Sequence, residues 1–210
     1  MALVLMRLAA RAPLAMLHAF GVALGWIMYC SASYRRHLRG NLALAGYEHD
    51  ARVRRAAIGE AGKMIAEIPK ILLGPRAEAL ALVREFDGRE HIERARAAQK
   101  GIVFITPHLG CFELVAQAVD APRPLTALYR PPKMAWLKPL VEDARALHNV
   151  RVAPADLRGV RSLLAALKRG EAILVLPDQV PGRGEGAWVE FFGKSAYTMT
   201  LAARLAERTD

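Results

Sequence analysis

The stretch GIVFITPHLGCFELVAQAV, residues 101–119, decides how the rest of this sequence is read. The apolar run IVFI has the composition of a buried strand, and Thr106-Pro107 ends it. From Cys111 onward, the apolar residues recur at helical spacing. The pattern predicts a strand, then a turn that carries a histidine, then a helix that begins near residue 111.

The same alternation of strand and helix continues towards the C-terminus. Residues 35–100 are predicted to be mainly helical, and from residue 101 strands and helices alternate. Such alternation is typical of an α/β fold with a mainly parallel sheet flanked by helices. Because the sequence stops within a helical pattern, we expect the domain to be truncated at its C-terminus. Further strands are predicted at 124–130, 150–154, 172–177 and 187–193, and further helices at 133–149, 157–171 and 197–210.

Residues 12–30 form an apolar segment without Asp, Glu, Lys or Arg. Its length is close to the roughly 20 residues that a spanning helix needs. Arginines flank it on both sides, more heavily after it, which favours a cytoplasmic location for the rest of the chain. We therefore predict a membrane-anchoring helix within residues 1–34, either spanning or lying in the interface, and an α/β domain over residues 35–210. A signal peptide and a helix packed in the core are the alternatives.

Charge and cysteine content narrow the classes of function. The formal net charge is +10, which is typical of proteins that bind nucleic acid, anionic membranes or acidic partners. No zinc-finger spacing or aromatic RNA-binding motif accompanies the basic residues, so a membrane surface is favoured over nucleic acid. Cys30 and Cys111 have no metal-binding spacing and indicate a reducing compartment. Cys111 is interpreted as a small buried residue, with a nucleophile beside His108 as the alternative.

His108 and Glu113 are the first candidate catalytic pair. Five residues apart on one helix, they would be separated by roughly 140° of rotation, so His108 is placed in the turn before the helix. Glu113 then lies in the first helical turn, from which its carboxylate could fix the tautomer of the imidazole. The other ring nitrogen could remove a proton from a hydroxyl. Because no nearby serine has the features of a nucleophile, this hydroxyl is expected to belong to a substrate. A histidine that caps the helix beside a solvated Glu113 is the alternative.

Two further segments carry candidate binding residues at predicted strand ends. Arg130 follows one strand, and an arginine at the carboxyl end of a parallel strand suits a phosphate or carboxylate. Asp178 follows another strand and precedes a glycine-rich loop whose backbone could approach an anion. A surface salt bridge and a plain loop are the respective alternatives. The candidate loop residues are Gly182, Arg183, Gly184 and Gly186.

Taken together, these motifs resemble the lipid A late acyltransferases, the lauroyl and myristoyl acyltransferase family of lipopolysaccharide biosynthesis. His108 and Glu113 match the family's H-x4-[DE] motif in PHLGCFE, and residues 129–131 match its Tyr-Arg-Pro element. The run DQVPGRGEGAWVEFFGKSAYTMTLAARLA, residues 178–206, is the most specific part of the resemblance. The resemblance covers essentially the whole chain and implies a glycerol-3-phosphate-acyltransferase-like fold.

The resemblance also implies a reaction and a location. An enzyme of this family would move a fatty acyl chain from acyl carrier protein to a hydroxyl of a lipid A precursor. It would do so at the bacterial inner membrane, with its catalytic domain on the cytoplasmic side. The acyl carrier protein thioester would be the co-substrate, with no metal, no bound cofactor and no nucleic acid. The basic surface fits an acidic carrier protein and anionic lipid.

The resemblance assigns a role to each candidate residue. His108 would be the general base, and Glu113 would orient it and stabilise its charge. Arg130 would bind an acceptor phosphate or help to hold the oxyanion, while Asp178 and the loop 182–186 would shape the second half of the site. The alternatives are an acyltransferase for another lipid, such as a lysophospholipid or aminolipid, and a non-catalytic protein that binds membranes or carrier protein.

Overall fold

The computed structural model describes residues 2–119, 124–132 and 135–209. The chain divides into two compact units, Met1–Pro75 and Arg76–Asp210. The boundary predicted after residue 34 therefore lies inside the first unit, and the anchoring role of residues 1–34 stays a prediction. The ends of two predicted helices, residues 133–134 and residue 210, lie outside the described residues.

The first unit consists of helices α1 (Ala2–Arg11), α2 (Leu14–Tyr29), α3 (Ala32–Leu44) and α4 (Ala51–Leu73). Helices α2 and α4 pack with their backbones in contact, because glycines lie where they meet. A Cβ at Gly62 would overlap the carbonyl oxygen of Gly21, and a Cβ at Gly25 would overlap that of Ile58. Two glycines four residues apart on one helix are the arrangement that allows such close approach, and it is common where helices pack in membranes.

Polar contacts support the same helix pair. The His18 ring lies 2.6 Å from a carboxylate oxygen of Glu67, which ties α2 to α4 in a partly buried position. Asp50 caps α4, because its carboxylate accepts hydrogen bonds from the backbone N–H groups of Arg52 and Val53. Close contacts at glycines and a side-chain bridge thus both join α2 to α4.

Large apolar side chains of α1 and α2 remain exposed in the first unit. Among the described residues, no single helix is long and apolar enough to cross a membrane, whereas α2 and α3 qualify only as a pair bent by 100°. The predicted anchoring helix therefore stays a prediction. The exposed side chains include Val4, Leu5, Leu8, Met16, Phe20, Trp26 and Ile27.

The second unit is built on a parallel four-stranded sheet in the order β1-β4-β2-β3. Helices connect the strands, and an antiparallel hairpin and a last helix follow. The predicted α/β architecture with a parallel sheet flanked by helices is confirmed. The elements are α5 (Arg76–Leu80), α6 (Arg89–Ala97), β1 (Ile102–Ile105), α7 (Phe112–Ala118), β2 (Leu125–Tyr129), α8 (Leu137–Leu147), β3 (Val150–Pro154), α9 (Leu157–Lys168), β4 (Ala172–Val175), β5 (Gly186–Phe191), β6 (Lys194–Met199) and α10 (Leu201–Glu207).

Strand β4 organises the core, because all four of its residues are buried. Successive side chains of a strand point to opposite faces. Ile173 and Val175 therefore pack in the layer formed with α9 and α10. Ala172 and Leu174 pack in the other layer, which includes residues of β2 and β3.

The structure differs from the sequence prediction in two stretches that were predicted to be helical. The prediction of a helix over 197–210 is wrong at its start, since Tyr197–Met199 belong to β6 and only Leu201–Glu207 are helical. Cross-strand pairing with β5, where Tyr197 lies opposite Trp188, overrides the local pattern. Within residues 35–100, which are predicted to be mainly helical, α5 ends at Leu80, where the backbone tightens into hydrogen bonds to the third preceding residue.

The glycine contact in the first unit generates a stability prediction. We expect Gly62→Ala to lower the free energy of unfolding by about 1–3 kcal/mol, because the added methyl group must push α2 away from α4. Urea unfolding followed by circular dichroism measures the change. Gly40→Ala on α3 is the matched control, since a Cβ there would meet nothing within 4 Å and should be neutral or stabilising. Equal stabilities of the two variants would contradict the prediction.

Candidate active site

The register of the parallel sheet brings His108 and Asp178 together. Strands β1 and β4 are neighbours, and Ile105 pairs with Val175 at their carboxyl ends. His108 and Asp178 each lie three residues beyond that pair. Residues equally far from a paired position leave the sheet side by side, so two segments 70 residues apart in sequence meet at one edge.

A single carboxylate holds His108 at two points. The backbone N–H of His108 donates to Oδ2 of Asp178 over 2.7 Å, and ring atom Nδ1 lies 2.8 Å from Oδ1. The Phe112 ring packs edge-on against the imidazole, with 5.0 Å between ring centroids. An Nδ1–H that donates to the carboxylate leaves the lone pair on Nε2. The side chain of His108 is 32% exposed, so a substrate can reach that nitrogen.

The contact with His108 lowers the pKa of Asp178. Burial by itself would raise the pKa of this carboxyl, but the hydrogen bonds from the side chain and backbone of His108 outweigh it. Asp178 is therefore a carboxylate at neutral pH, the form that can orient an imidazole and stabilise an imidazolium.

Gln179 is a site residue that the sequence analysis missed. Its amide nitrogen lies 3.4 Å from Nε2 of His108, the ring atom that faces away from Asp178. The amide therefore stands beside the position that a reacting hydroxyl would occupy. Its only sequence signal was its place directly after Asp178.

Among the described residues, no hydrogen bond or ion pair joins Glu113 to His108, contrary to the expectation from the sequence. Glu113 lies in the first turn of α7, as predicted, but its carboxylate faces the guanidinium of Arg145 on α8. Nη2 of Arg145 donates to Oε1, and Nε lies 3.4 Å from Oε2, which makes a two-point ion pair. Both side chains are less than a fifth exposed. The carboxylate that contacts His108 is thus that of Asp178.

Tyr129 lies beneath the Glu113–Arg145 pair at the end of β2. The Arg145 guanidinium lies 4.8 Å from the centroid of the Tyr129 ring. Burial raises the pKa of the Tyr129 phenol, with Arg145 opposing and Glu142 and Glu113 adding to the increase. The hydroxyl therefore stays neutral, and the ring serves as a platform for the arginine.

Arg130 lies at the same edge of the sheet, directly after β2, and its side chain is exposed. Strand β2 neighbours β4, so Arg130 leaves the sheet one strand away from Asp178. The sequence analysis expected a cation at this edge, and the topology puts one there. Arg183, on the loop after β4, is exposed as well.

The amides of the glycine-rich loop already have acceptors within the protein. Gly182 donates to a carboxylate oxygen of Glu185, over 3.0 Å. Gly184 and Gly186 both donate to the phenol oxygen of Tyr197, over 2.9 and 3.0 Å. An anion bound by these amides would have to displace both acceptors, so their part in substrate binding stays a prediction.

A repeated sequence pattern could have revealed the contact between His108 and Asp178. Both strands end in the same way: IVFI is followed by TPH, and AILV is followed by LPD. In each case one residue and a proline separate the strand from the polar side chain. Neighbouring parallel strands with the same ending place those side chains together, but only the strand order shows that β1 and β4 are neighbours.

Fold and site together define an α/β protein with a histidine–carboxylate pair at the carboxyl edge of a parallel sheet and arginines beside it. The sequence model of one protein family, the bacterial lipid A biosynthesis acyltransferases, matches residues 1–210. The chain therefore belongs to that family. This confirms the resemblance on which the sequence analysis relied.

Curated relatives agree with this family. The chain is 25% identical over 201 residues to a lipid A biosynthesis acyltransferase of Haemophilus influenzae, covering 87% of this chain and 58% of the relative. It is 26% identical over 161 residues to the lipid A biosynthesis palmitoleoyltransferase of Escherichia coli, covering 73% and 51%. It is 29% identical over 126 residues to the lipid A biosynthesis lauroyltransferase of that bacterium, covering 58% and 40%. The chain thus spans about half the length of the curated relatives it matches.

The lowered pKa of Asp178 predicts a titration. In the wild type, the midpoint should lie below the ordinary value of 3.8, and it should rise in His108→Ala because the hydrogen bond from the imidazole is lost, while the one from the backbone N–H of residue 108 remains. A carboxyl with a lowered folded-state pKa adds stability above its unfolded pKa, and this is lost as the pH falls through the folded value. Carbon-13 NMR of the Asp178 carboxyl group measures the midpoint. His91→Ala, at a 71% exposed histidine, is the control and should leave it unchanged.

The ion pair between Glu113 and Arg145 predicts a marked loss of stability. Arg145→Ala should cost about 1–3 kcal/mol or more, because it leaves a mostly buried carboxylate without its partner. Arg158→Ala is the control, since Arg158 is 81% exposed and water screens its pair with Asp156, which should contribute little to stability. Chemical denaturation compares the variants. If the Arg145 variant lost no more stability than the control, the pair would not support the fold.

Proposed function

We propose that this chain carries the catalytic centre of an acyltransferase of lipid A biosynthesis. The enzyme would move a fatty acyl chain from an acyl carrier protein thioester to a hydroxyl of a lipid A precursor. The observation that carries the proposal is the contact between His108 Nδ1 and Asp178, because it leaves the lone pair of a partly exposed imidazole on Nε2. The family supplies the reaction class, and the printed names of the relatives supply the lipid A acceptor.

In the chemical step, His108 first accepts a proton and then donates it. Nε2 accepts the proton of the acceptor hydroxyl while the hydroxyl oxygen attacks the thioester carbonyl carbon. The resulting tetrahedral oxyanion collapses, the carbon–sulfur bond breaks, and the imidazolium returns its proton to the leaving thiolate. Asp178 stabilises the imidazolium between these two transfers and keeps the ring in place. The ester and the free thiol are the products, and no metal or bound cofactor takes part.

The remaining candidate residues have supporting roles in this proposal. Arg130 lies at the reacting edge as an exposed cation, where it can bind a phosphate of the acceptor or the developing oxyanion. Glu113 acts through Arg145 and Tyr129, by holding the end of β2 from which Arg130 emerges. The loop that contains Gly182 would border the donor side of the site.

Membrane association is part of the proposal. The exposed apolar side chains of α1 and α2 would lie in the inner membrane, at the cytoplasmic side where the donor is available. The net charge of +10 favours both anionic lipid and an acidic carrier protein.

Substitutions at the two carboxylates distinguish the catalytic role of Asp178 from that of Glu113. We expect His108→Ala to lower acyl transfer by about 10²- to 10⁴-fold, because the general base is removed. Asp178→Asn should lower it by about 10²-fold or more, because the ring loses the carboxylate that orients it and stabilises its charge. Glu113→Gln should reduce activity in proportion to its loss of folded protein. Transfer of label from acyl carrier protein to a hydroxyl-bearing lipid A precursor in detergent is the assay.

Asp143→Asn is the matched control, since it makes the same change in an exposed carboxylate on α8. If Glu113→Gln, fully folded, lost as much rate as His108→Ala while Asp178→Asn kept the wild-type rate, Glu113 would be the partner of His108. Transfer to a lysophospholipid but not to the precursor would identify a different acceptor. Acyl transfer by His108→Ala at the wild-type rate would contradict the proposed mechanism.

A further inference from the structure

Each strand of the parallel sheet is followed, among the described residues, by a large and exposed apolar side chain. Leu109 follows β1 and is 79% exposed, Leu157 follows β3 at 76%, and Val180 follows β4 at 81%. Trp136, 48% exposed, lies between β2 and α8. These four residues, called here the apolar rim, come from segments that leave the carboxyl edge of the sheet, which is the edge that carries His108.

The opposite edge of the sheet has a different composition. The described segments that lead into β1, β3 and β4 contain no large apolar side chain that is exposed. They are polar or charged, so among the described residues of these segments the large exposed apolar side chains lie at the carboxyl edge. The side chains in these segments include Gln99, Lys100, Asn149, Arg169 and Glu171.

Exposed apolar residues scattered singly are ordinary on a protein surface, whereas a set gathered on one edge marks an interaction surface. The rim flanks the reacting group directly, since Leu109 follows His108 and Val180 follows Gln179 in the sequence. What covers the rim must therefore lie within reach of Nε2 of His108.

The neighbouring charges indicate what the rim contacts. Arg130 and Arg183 are exposed in segments that leave the same edge, and the chain as a whole carries a net charge of +10. Apolar side chains, a tryptophan and cations together suit the boundary between acyl chains and anionic headgroups.

The hairpin of β5 and β6 extends the same chemistry. It begins eleven residues after β4 ends, and its tip exposes Phe191 at 62% and Phe192 at 89%. The backbone turns there with positive φ at Phe192 and Gly193, which makes a tight turn with two aromatic rings and Lys194 beside it.

We propose that the apolar rim docks on the surface of an anionic lipid bilayer, so that the acceptor hydroxyl reaches His108 without leaving the membrane. The inference rests on the proposed function, because it assumes that the acceptor is a lipid. It assigns the membrane contact of the second unit to the catalytic edge itself, in addition to the contact proposed for α1 and α2.

The test places a fluorescent label on the rim. Cys30 and Cys111 are replaced by serine, Val180→Cys is introduced, and the new thiol carries an environment-sensitive dye. Phosphatidylglycerol vesicles that contain a spin-labelled phospholipid are then added, and the quenching of the dye is measured. Lys168→Cys is the matched control, since it is exposed at the end of α9, next to the opposite edge of the sheet.

We expect the label at 180 to shift to shorter wavelength and to be quenched at least about twofold more than the label at 168, because only the rim enters the interface. Leu157→Gln together with Val180→Asn should weaken vesicle binding several-fold. Quenching that is equal at 180 and 168 would overturn the proposal. A response at 180 to acyl carrier protein but not to vesicles would also overturn it, in favour of a protein partner.

The quenching needs no turnover, so the two proposals can fail separately. Strong quenching at 180 in a protein that transfers no acyl chain would overturn the proposed function and support the docking surface. Acyl transfer to vesicle-bound acceptor without quenching at 180 would overturn the docking surface alone.

Discussion

The parallel pairing of β1 with β4 is the constraint on which the candidate site depends. Its register sets Ile105 beside Val175, and the two segments that follow then leave the sheet together. A shift of one residue in this register would turn the side chains of β4 to the opposite faces and separate His108 from Asp178. The buried residues of β4 resist such a shift, because each packs in one of two distinct layers. Core packing and site geometry therefore depend on the same register.

The two carboxylates near the site differ in role because they differ in surroundings. Asp178 is partly exposed, and His108 is the residue whose side chain lowers its pKa. The charge of Asp178 is therefore directed at the imidazole. Glu113 is mostly buried, and its charge is compensated by Arg145. Arg145 therefore compensates the charge that Glu113 would otherwise direct at another cation. The identity of the side chain thus does not decide which acid serves the histidine.

The two units differ in how their small and apolar residues are arranged. In the first unit, glycines allow α2 and α4 to approach until their backbones touch, which leaves the larger apolar side chains of α2 facing outward. In the second unit, the apolar residues of β4 are buried, whereas Leu109, Leu157 and Val180 beyond the carboxyl edge are exposed. Exposure of this kind persists in a folded protein when an apolar surface is available to cover it.

The sequence by itself determined the α/β class, the positions of β1 to β4, the place of His108 in a turn, and the family. These follow from local patterns: apolar runs of strand length, prolines that end them, and short motifs. Only the tertiary structure decided which carboxylate contacts His108, that Gln179 lies at Nε2, and that Tyr197 belongs to a strand. Each of these depends on a partner distant in sequence, and strand order and register set such pairings. Spacing along the chain favoured Glu113 because it is near in sequence, whereas proximity in space is decided by the sheet.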